Sequence, residues 1–257
     1  MIYGEDALAY AHFVPTMQFD PHIVVADANK DAAAALIARK LHFKPHTGGQ
    51  KHCHESIFAD ANLPLVYPYS AHLEITPASP LDGPHMILVH PQSFFNLALD
   101  DHSPSISLPP FPDNIRFPTL TAFLDSIYET IVDPSSGHRS RRGAESLITW
   151  VSYLFDYTIR RPFFLPNGDL KPGIAELKSS LRPENQPAFD QDIRDKFSAD
   201  EAFQMRREVF RQMGRLDLAN RPPPTRVPGN QAPLEQLRAL KAARESTANG
   251  GDSSASV

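Results

Sequence analysis

Residues 20–25 read Asp-Pro-His-Ile-Val-Val, and this stretch constrains the fold more than any other. Ile23, Val24 and Val25 form a continuous apolar run without alternation, the pattern of a strand covered on both faces. Pro21 cannot donate to a sheet ladder, so it fits only at the start of the strand or on an edge. A strand is therefore expected over 19–25, headed by Asp20 and His22. On its N-terminal side, Gly4-Glu5 closes a short opening element, and a helix is expected over 6–13. That helix carries Ala7, Leu8 and Ala11 on one side, small enough for close packing on a sheet, and Val14-Pro15-Thr16 stops it. On the C-terminal side, Asp27 or Asn29 is a candidate N-cap for a helix over 29–42. Strand, short loop and helix make the first half of an α/β unit.

Further on, Pro45 and Gly48-Gly49 mark 44–51 as turn or loop, and short strands are expected at 56–58 and 65–67. Better strands follow at 71–76 and 86–90, then a short helix over 91–99. Residues 101–117 contain Pro104, Pro109, Pro110 and Pro112 and read as loop. There the period changes. Leu120, Phe123, Leu124, Ile127, Tyr128 and Ile131 follow i, i+3, i+4, i+7, i+8 and i+11, which specifies an amphipathic helix. A second long helix runs from Leu147 to a stop at Arg161-Pro162, with Arg160 and Arg161 complementing its dipole. Shorter helices are expected over 174–181 and 187–197. Ser198-Ala199-Asp200-Glu201 has the capping-box form and opens a helix to about 213. Arg221-Pro222-Pro223-Pro224 reads as a linker, 234–244 as a last helix, and 246–257 as a disordered Gly/Ser/Ala tail. The expected fold class is α+β: a small mixed sheet flanked by helices over 1–134, a helical region over 135–245, and the tail. An N-terminus that begins directly at a structural element suggests a trimmed start or a missing first helix.

Composition limits the function classes. Of 257 residues, 41% are hydrophobic and 21% charged, values of a soluble globular chain, and no apolar run approaches the ~20 residues of a membrane span. No basic leader or signal core opens the chain, so the expected address is cytoplasmic. One cysteine, Cys53, rules out an internal disulfide. A net charge of −5 makes nucleic acid an unlikely partner. The charge is uneven: residues 1–138 hold 6 Lys/Arg against 15 Asp/Glu and all 11 histidines, and the remainder is basic.

The order of a glycine turn, a helix, a strand opening on Asp20-x-His22, a further helix, and a later strand carrying Glu74 resembles the nucleotidyltransferase superfamily in its minimal branch. The likeness covers about 100 residues and rests on spacing rather than on a diagnostic motif. It implies Asp20 and Glu74 as catalytic carboxylates. It implies Gly4 and Glu5 as the phosphate-binding turn, and Asp20, His22 and Glu74 as ligands of Mg²⁺ or Mn²⁺ held with a nucleotide. Two departures matter. The family pattern is Asp-x-Asp, and His22 replaces the second carboxylate with a nitrogen, whereas Mg²⁺ demands oxygen ligands. The second turn residue is small in the family, and Glu5 instead brings a charge that repels phosphate. The expectation is a degenerate relative, a non-catalytic binding or scaffold protein for a small molecule, nucleotide or protein partner. The alternative is an active enzyme holding one ion on Asp20, His22 and Glu74, for which Mn²⁺ tolerates the nitrogen better. Read without the likeness, Asp20 is a strand-entry turn residue and His22 an ordinary half-buried histidine.

A third reading is zinc binding by His46, His52, Cys53 and His54, beside Glu55, with His72 as a possible completing ligand. In a strand, His52 and His54 share a face and Cys53 points away, so the three do not easily reach one ion. The bland reading is a histidine-rich polar loop. Cys53 as a nucleophile would need a lowered pKa and an orienting base. His138-Arg139-Ser140-Arg141-Arg142 reads as a solvated basic linker. Arg206, Arg207 and Arg211 read as a solvated face with Glu208 and Asp200, and Trp150 with its aromatic neighbours as core.

Overall fold

The computed structural model describes residues 1–17, 20–46, 67, 69–76, 86–101, 104–132, 141–215 and 217–218, with the backbone alone for 141–145. The expected strand at 56–58, most of that at 65–67, the cluster of His52, Cys53, His54 and Glu55, and residues 138–140 of the basic linker lie outside these residues. So do the linker at 221–224, the helix at 234–244 and the tail.

The fold is α+β. A five-stranded sheet has the order β1 (Ile2–Tyr3), β2 (His22–Val25), β5 (Met86–Pro91), β4 (Ala71–Ile75), β3 (Phe43–Pro45). Only the β2–β5 pair is parallel; the other three are antiparallel. Pro21 sits at the start of β2, where its carbonyl accepts from Leu88 and its missing N–H costs no ladder bond. The run Ile23-Val24-Val25 is covered on both faces because two helical layers flank the sheet. On one face Ile23, Val25, Ile87, Val89 and Leu73 pack with Ala34 and Ile37 of α2 (Lys30–Lys40). On the other, Val24 and Leu88 join a larger cluster with α1 (Gly4–His12), α3 (Leu120–Val132) and α4 (Arg141–Tyr153). α1 begins at Gly4, two residues before its expected start. β3 replaces the first residues of an expected loop: Phe43 belongs to the α2 face, and burying it draws 43–45 onto the edge of β4.

The amphipathic pattern of α3 becomes a helix with Phe123, Leu124, Ile127 and Tyr128 fully buried. α4 runs into a π-helical turn over Leu154–Ile159. α5 (Pro172–Ser180), α6 (Gln186–Asp192) and α7 (Ala199–Gln212) follow, and Ser198 caps α7 as its sequence predicted. Two-residue strands β6 (Ser105–Ile106) and β7 (Phe117–Pro118) pair across the proline-rich loop. Ile174, Phe189 and Ala202 belong to the same apolar cluster as Val24 and Leu88. Among the described residues no helix is long and apolar enough to cross a membrane.

Arg206 is not on a solvated face. It is 4% exposed and lies 3.2 Å from Glu129 of α3, itself 3% exposed. Arg182 also pairs with Glu129, and Arg206 donates to Asn185, which donates to Asp125. The reason is Glu129: a buried carboxylate must be matched, and a guanidinium from α7 supplies charge and donors together. Arg211 does pair with Glu208 at the surface. Replacing Arg206 with Met should destabilise the chain by about 3 kcal/mol in urea titrations, since it strands much of the Glu129 charge.

Nearby, Tyr128 donates to Asp192 at 2.7 Å. Burial is the chief cause that lifts the Asp192 carboxyl from an ordinary 3.8 to about 6, against the opposing Tyr128 bond. A native state that keeps a proton longer than the unfolded chain loses stability as pH rises from about 4 to about 6, and the loss stays constant above. His12, pushed down to about 4 by burial, acts with the opposite sign over a similar range. The comparison with Asp192→Asn isolates the carboxylate, because the amide oxygen still accepts from Tyr128. Urea midpoints from about pH 4 to pH 7 should show the variant gaining on the parent with rising pH, by about 2 kcal/mol at neutrality.

Candidate functional site

The inner face of the sheet, toward α1, α3 and α4, gathers a line of polar side chains. Along a strand alternate residues share a face, so His22 lies with Val24, His90 with Leu88, and His72 with Glu74. His22 and Leu88 are register partners on parallel strands, which brings His90 within reach of His22. Ala71 is the register partner of Val89, which places Ser70 beside His90 on the other flank. The result is a chain of close contacts: Ser70 Oγ is 2.6 Å from His90 Nδ1, and His90 Nε2 is 2.9 Å from His22 Nδ1. Beyond it, His22 Nε2 lies 3.9 Å from Glu5 Oε2, and Glu5 Oε1 accepts from Trp150 Nε1 at 2.6 Å. His90 is 0% and His22 1% exposed. The two imidazoles lie within 8° of parallel with centres 4.9 Å apart, while Tyr67 and Trp150 meet His22 edge-on.

Each residue expected from the nucleotidyltransferase likeness has a definite place. Gly4 opens α1 with φ +64°, a left-handed conformation that favours glycine. A Cβ there would stand 3.0 Å from His22 Cδ2 and 3.2 Å from Trp150 Cζ2, so the space over the turn is filled by protein. Glu5 is 7% exposed and turned to Trp150 and His22. Asp20, 2% exposed, accepts from the Met86 amide at 2.9 Å and so ties the entry of β2 to the start of β5. Glu74 is engaged from the outer strand, by Lys44 at 3.0 Å and His46 at 2.9 Å. The fold thus brings Glu5 and His22 together, and His46 to Glu74. Asp20, His22 and Glu74 share no ligand cluster: among the described residues no group of three or more His, Cys, Asp or Glu is arranged to hold a metal ion. Of the zinc candidates, His46 meets Glu74, and His72 donates its Nε2–H to the Tyr67 carbonyl at 2.9 Å.

Burial pushes the Asp6 carboxyl up, with His22 opposing. Sequence reading passed over His90 and Ser70 and took Trp150 for plain core. One signal was available: His22 and His90 are polar residues in otherwise apolar strands, both on the even-numbered face.

No protein-family model, no curated protein and no solved structure matches this chain. Chemically, the arrangement can store polar groups in a dry interior, because the contacts named above supply donors to Glu5 and Asp20 and partners to both imidazoles.

Gly4→Ala tests how tightly the turn is closed. It should cost about 2–3 kcal/mol, from left-handed strain plus collision with His22 and Trp150. Gly173→Ala, whose Cβ meets nothing within 4 Å, should be neutral or stabilising in the same thermal melts.

Proposed function

We propose that this chain is a degenerate nucleotidyltransferase-fold protein that binds a partner or small ligand and does not transfer nucleotides. One observation carries the reading: the place above Gly4, where a phosphate would have to approach the backbone, is occupied by the His22 and Trp150 side chains. A phosphate site at a helix N-terminus needs exposed amides and an approach for the anion. Here the approach is closed, and the next residue is a buried carboxylate bonded to the indole.

The metal side supports the same reading. Mg²⁺ wants several oxygen ligands at about 2.1 Å in an octahedron. The residues present do not fit it, since Asp20 accepts from Met86, His22 faces His90, and Glu74 faces Lys44 and His46. No catalytic step is therefore derived through an ion. What stays is a two-sided sheet with a helical layer on each face, a scaffold whose inner polar line is closed off.

The reading is tested by incubating the purified protein with each of the four radiolabelled nucleoside triphosphates, Mg²⁺ or Mn²⁺, and candidate acceptors including itself. No transfer is expected above the level of an Asp20→Ala control. Labelling of the protein or an acceptor that Asp20→Ala abolishes would overturn it.

A further inference from the structure

We propose that residues 234–244 of this same chain dock into the groove between α6 and α7, so that the C-terminal part of the protein folds back on α7. The proposal is independent of the nucleotidyltransferase reading. α7 carries two apolar faces. Ala202 and Phe210, with Arg206 between them, are buried against the rest of the fold. Met205 and Val209 belong to a second face that continues to Met213, since residues at i, i+4 and i+8 share one side of a helix. Met205 is 46% and Met213 51% exposed. Met205, Val209 and Pro187 line a groove of about 550 Å³, with Asp190, Glu201 and Glu208 at its rim. Asp190 pairs with Lys178 and Glu208 with Arg211, whereas Glu201 meets only the neutral Gln191 amide among the described residues. Arg194 and Lys196 also border the groove, and Arg194 lies over the Phe164 ring, 5.3 Å from its centre.

The sequence of 234–244 fits such a surface. At helical spacing Leu234, Leu237 and Leu240 fall within an arc of about 120°, and Lys241 and Arg244 fall inside the same arc. Glu235 lies on the other side, among Ala239, Ala242 and Ala243. A face that presents leucines and cations together matches an apolar floor with carboxylates at its rim, and methionine adapts its shape to what it meets. The tether is long enough. Residues 219–233 are 15 in number and span up to about 50 Å, whereas the 14 residues of α7 cover about 21 Å. A segment tied to its own groove in this way is present at a local concentration on the order of millimolar, so shallow contacts suffice to hold it. A separate partner binding the same few side chains from dilute solution has no such advantage.

The test uses the full chain with Cys53→Ser, so that the only thiols are those introduced. Met205→Cys is combined with Leu237→Cys, beside a control that combines Leu36→Cys, at a position 48% exposed on α2, with Leu237→Cys. Under mild oxidation the first pair should close an intrachain disulfide, seen as a faster-migrating monomer on a non-reducing gel, about ten-fold sooner than the control. Equal rates overturn the proposal and leave the groove to a separate partner. A disulfide-linked dimer in place of the closed monomer overturns it in favour of a second copy of the chain. Leu237→Asp alone, which leaves every described contact in place, gives a second readout. It should speed tryptic cleavage after Lys241 about ten-fold, followed by mass spectrometry, and an unchanged rate also overturns the proposal.

Discussion

The hydrogen bond from the Trp150 indole to Glu5 is the contact on which the arrangement of this chain turns. It joins α4 to the first turn of α1, residues 145 positions apart, inside a layer where both partners are nearly inaccessible. A buried carboxylate without a donor costs several kcal/mol, so the position of Glu5 dictates that a donor arrive from the helical layer. Trp150 delivers it and at the same time packs edge-on against Tyr3 and His22. The same side chain thus satisfies a polar group, fills the space over Gly4 and anchors the second half of the chain to the first sheet segment.

A second buried polar unit works by the same rule on α3. Glu129, Arg206, Arg182, Asn185 and Asp125 fasten α3 to α7 and to the segment between α5 and α6. Ion pairs of this kind add little over well-packed apolar residues, but they penalise every arrangement in which one partner is left alone. They specify which helix face meets which. In both units a buried carboxylate takes its partner from a distant stretch of sequence.

What could be read from the sequence follows from this. Periodicity located α3, β2, β4 and β5, because each must bury a face and writes that face into its own residues. Pro21 at the entry of β2 and Ser198 before α7 were legible for the same local reason. Arg206 was not. An arginine on a helix with acidic neighbours reads as solvated, and only Glu129, 77 positions earlier, reverses that. β3 was hidden because Pro45 resembles a turn signal until the edge of β4 supplies a partner. The Asp20, His22 and Glu5 positions were visible as polar residues at the head of an apolar strand and in the opening turn. Their partners, His90, Met86 and Trp150, depend on strand register and on helix docking, which no local window contains.

His22 is therefore better understood as one member of a set than alone. An imidazole at the head of a buried strand places a polar ring in an apolar cluster, which is costly unless its nitrogens are met. One nitrogen faces His90, and His90 in turn requires a polar atom at its far side, which Ser70 supplies from the neighbouring strand. The other faces Glu5, and Glu5 in turn requires a donor, which Trp150 supplies. Each of these buried polar groups creates a demand that the next residue answers, ending at a serine on one side and an indole on the other. A carboxylate at position 22 would break this sequence of matched groups at its centre. That coupling gives a physical reason why none of these side chains can be exchanged alone without cost.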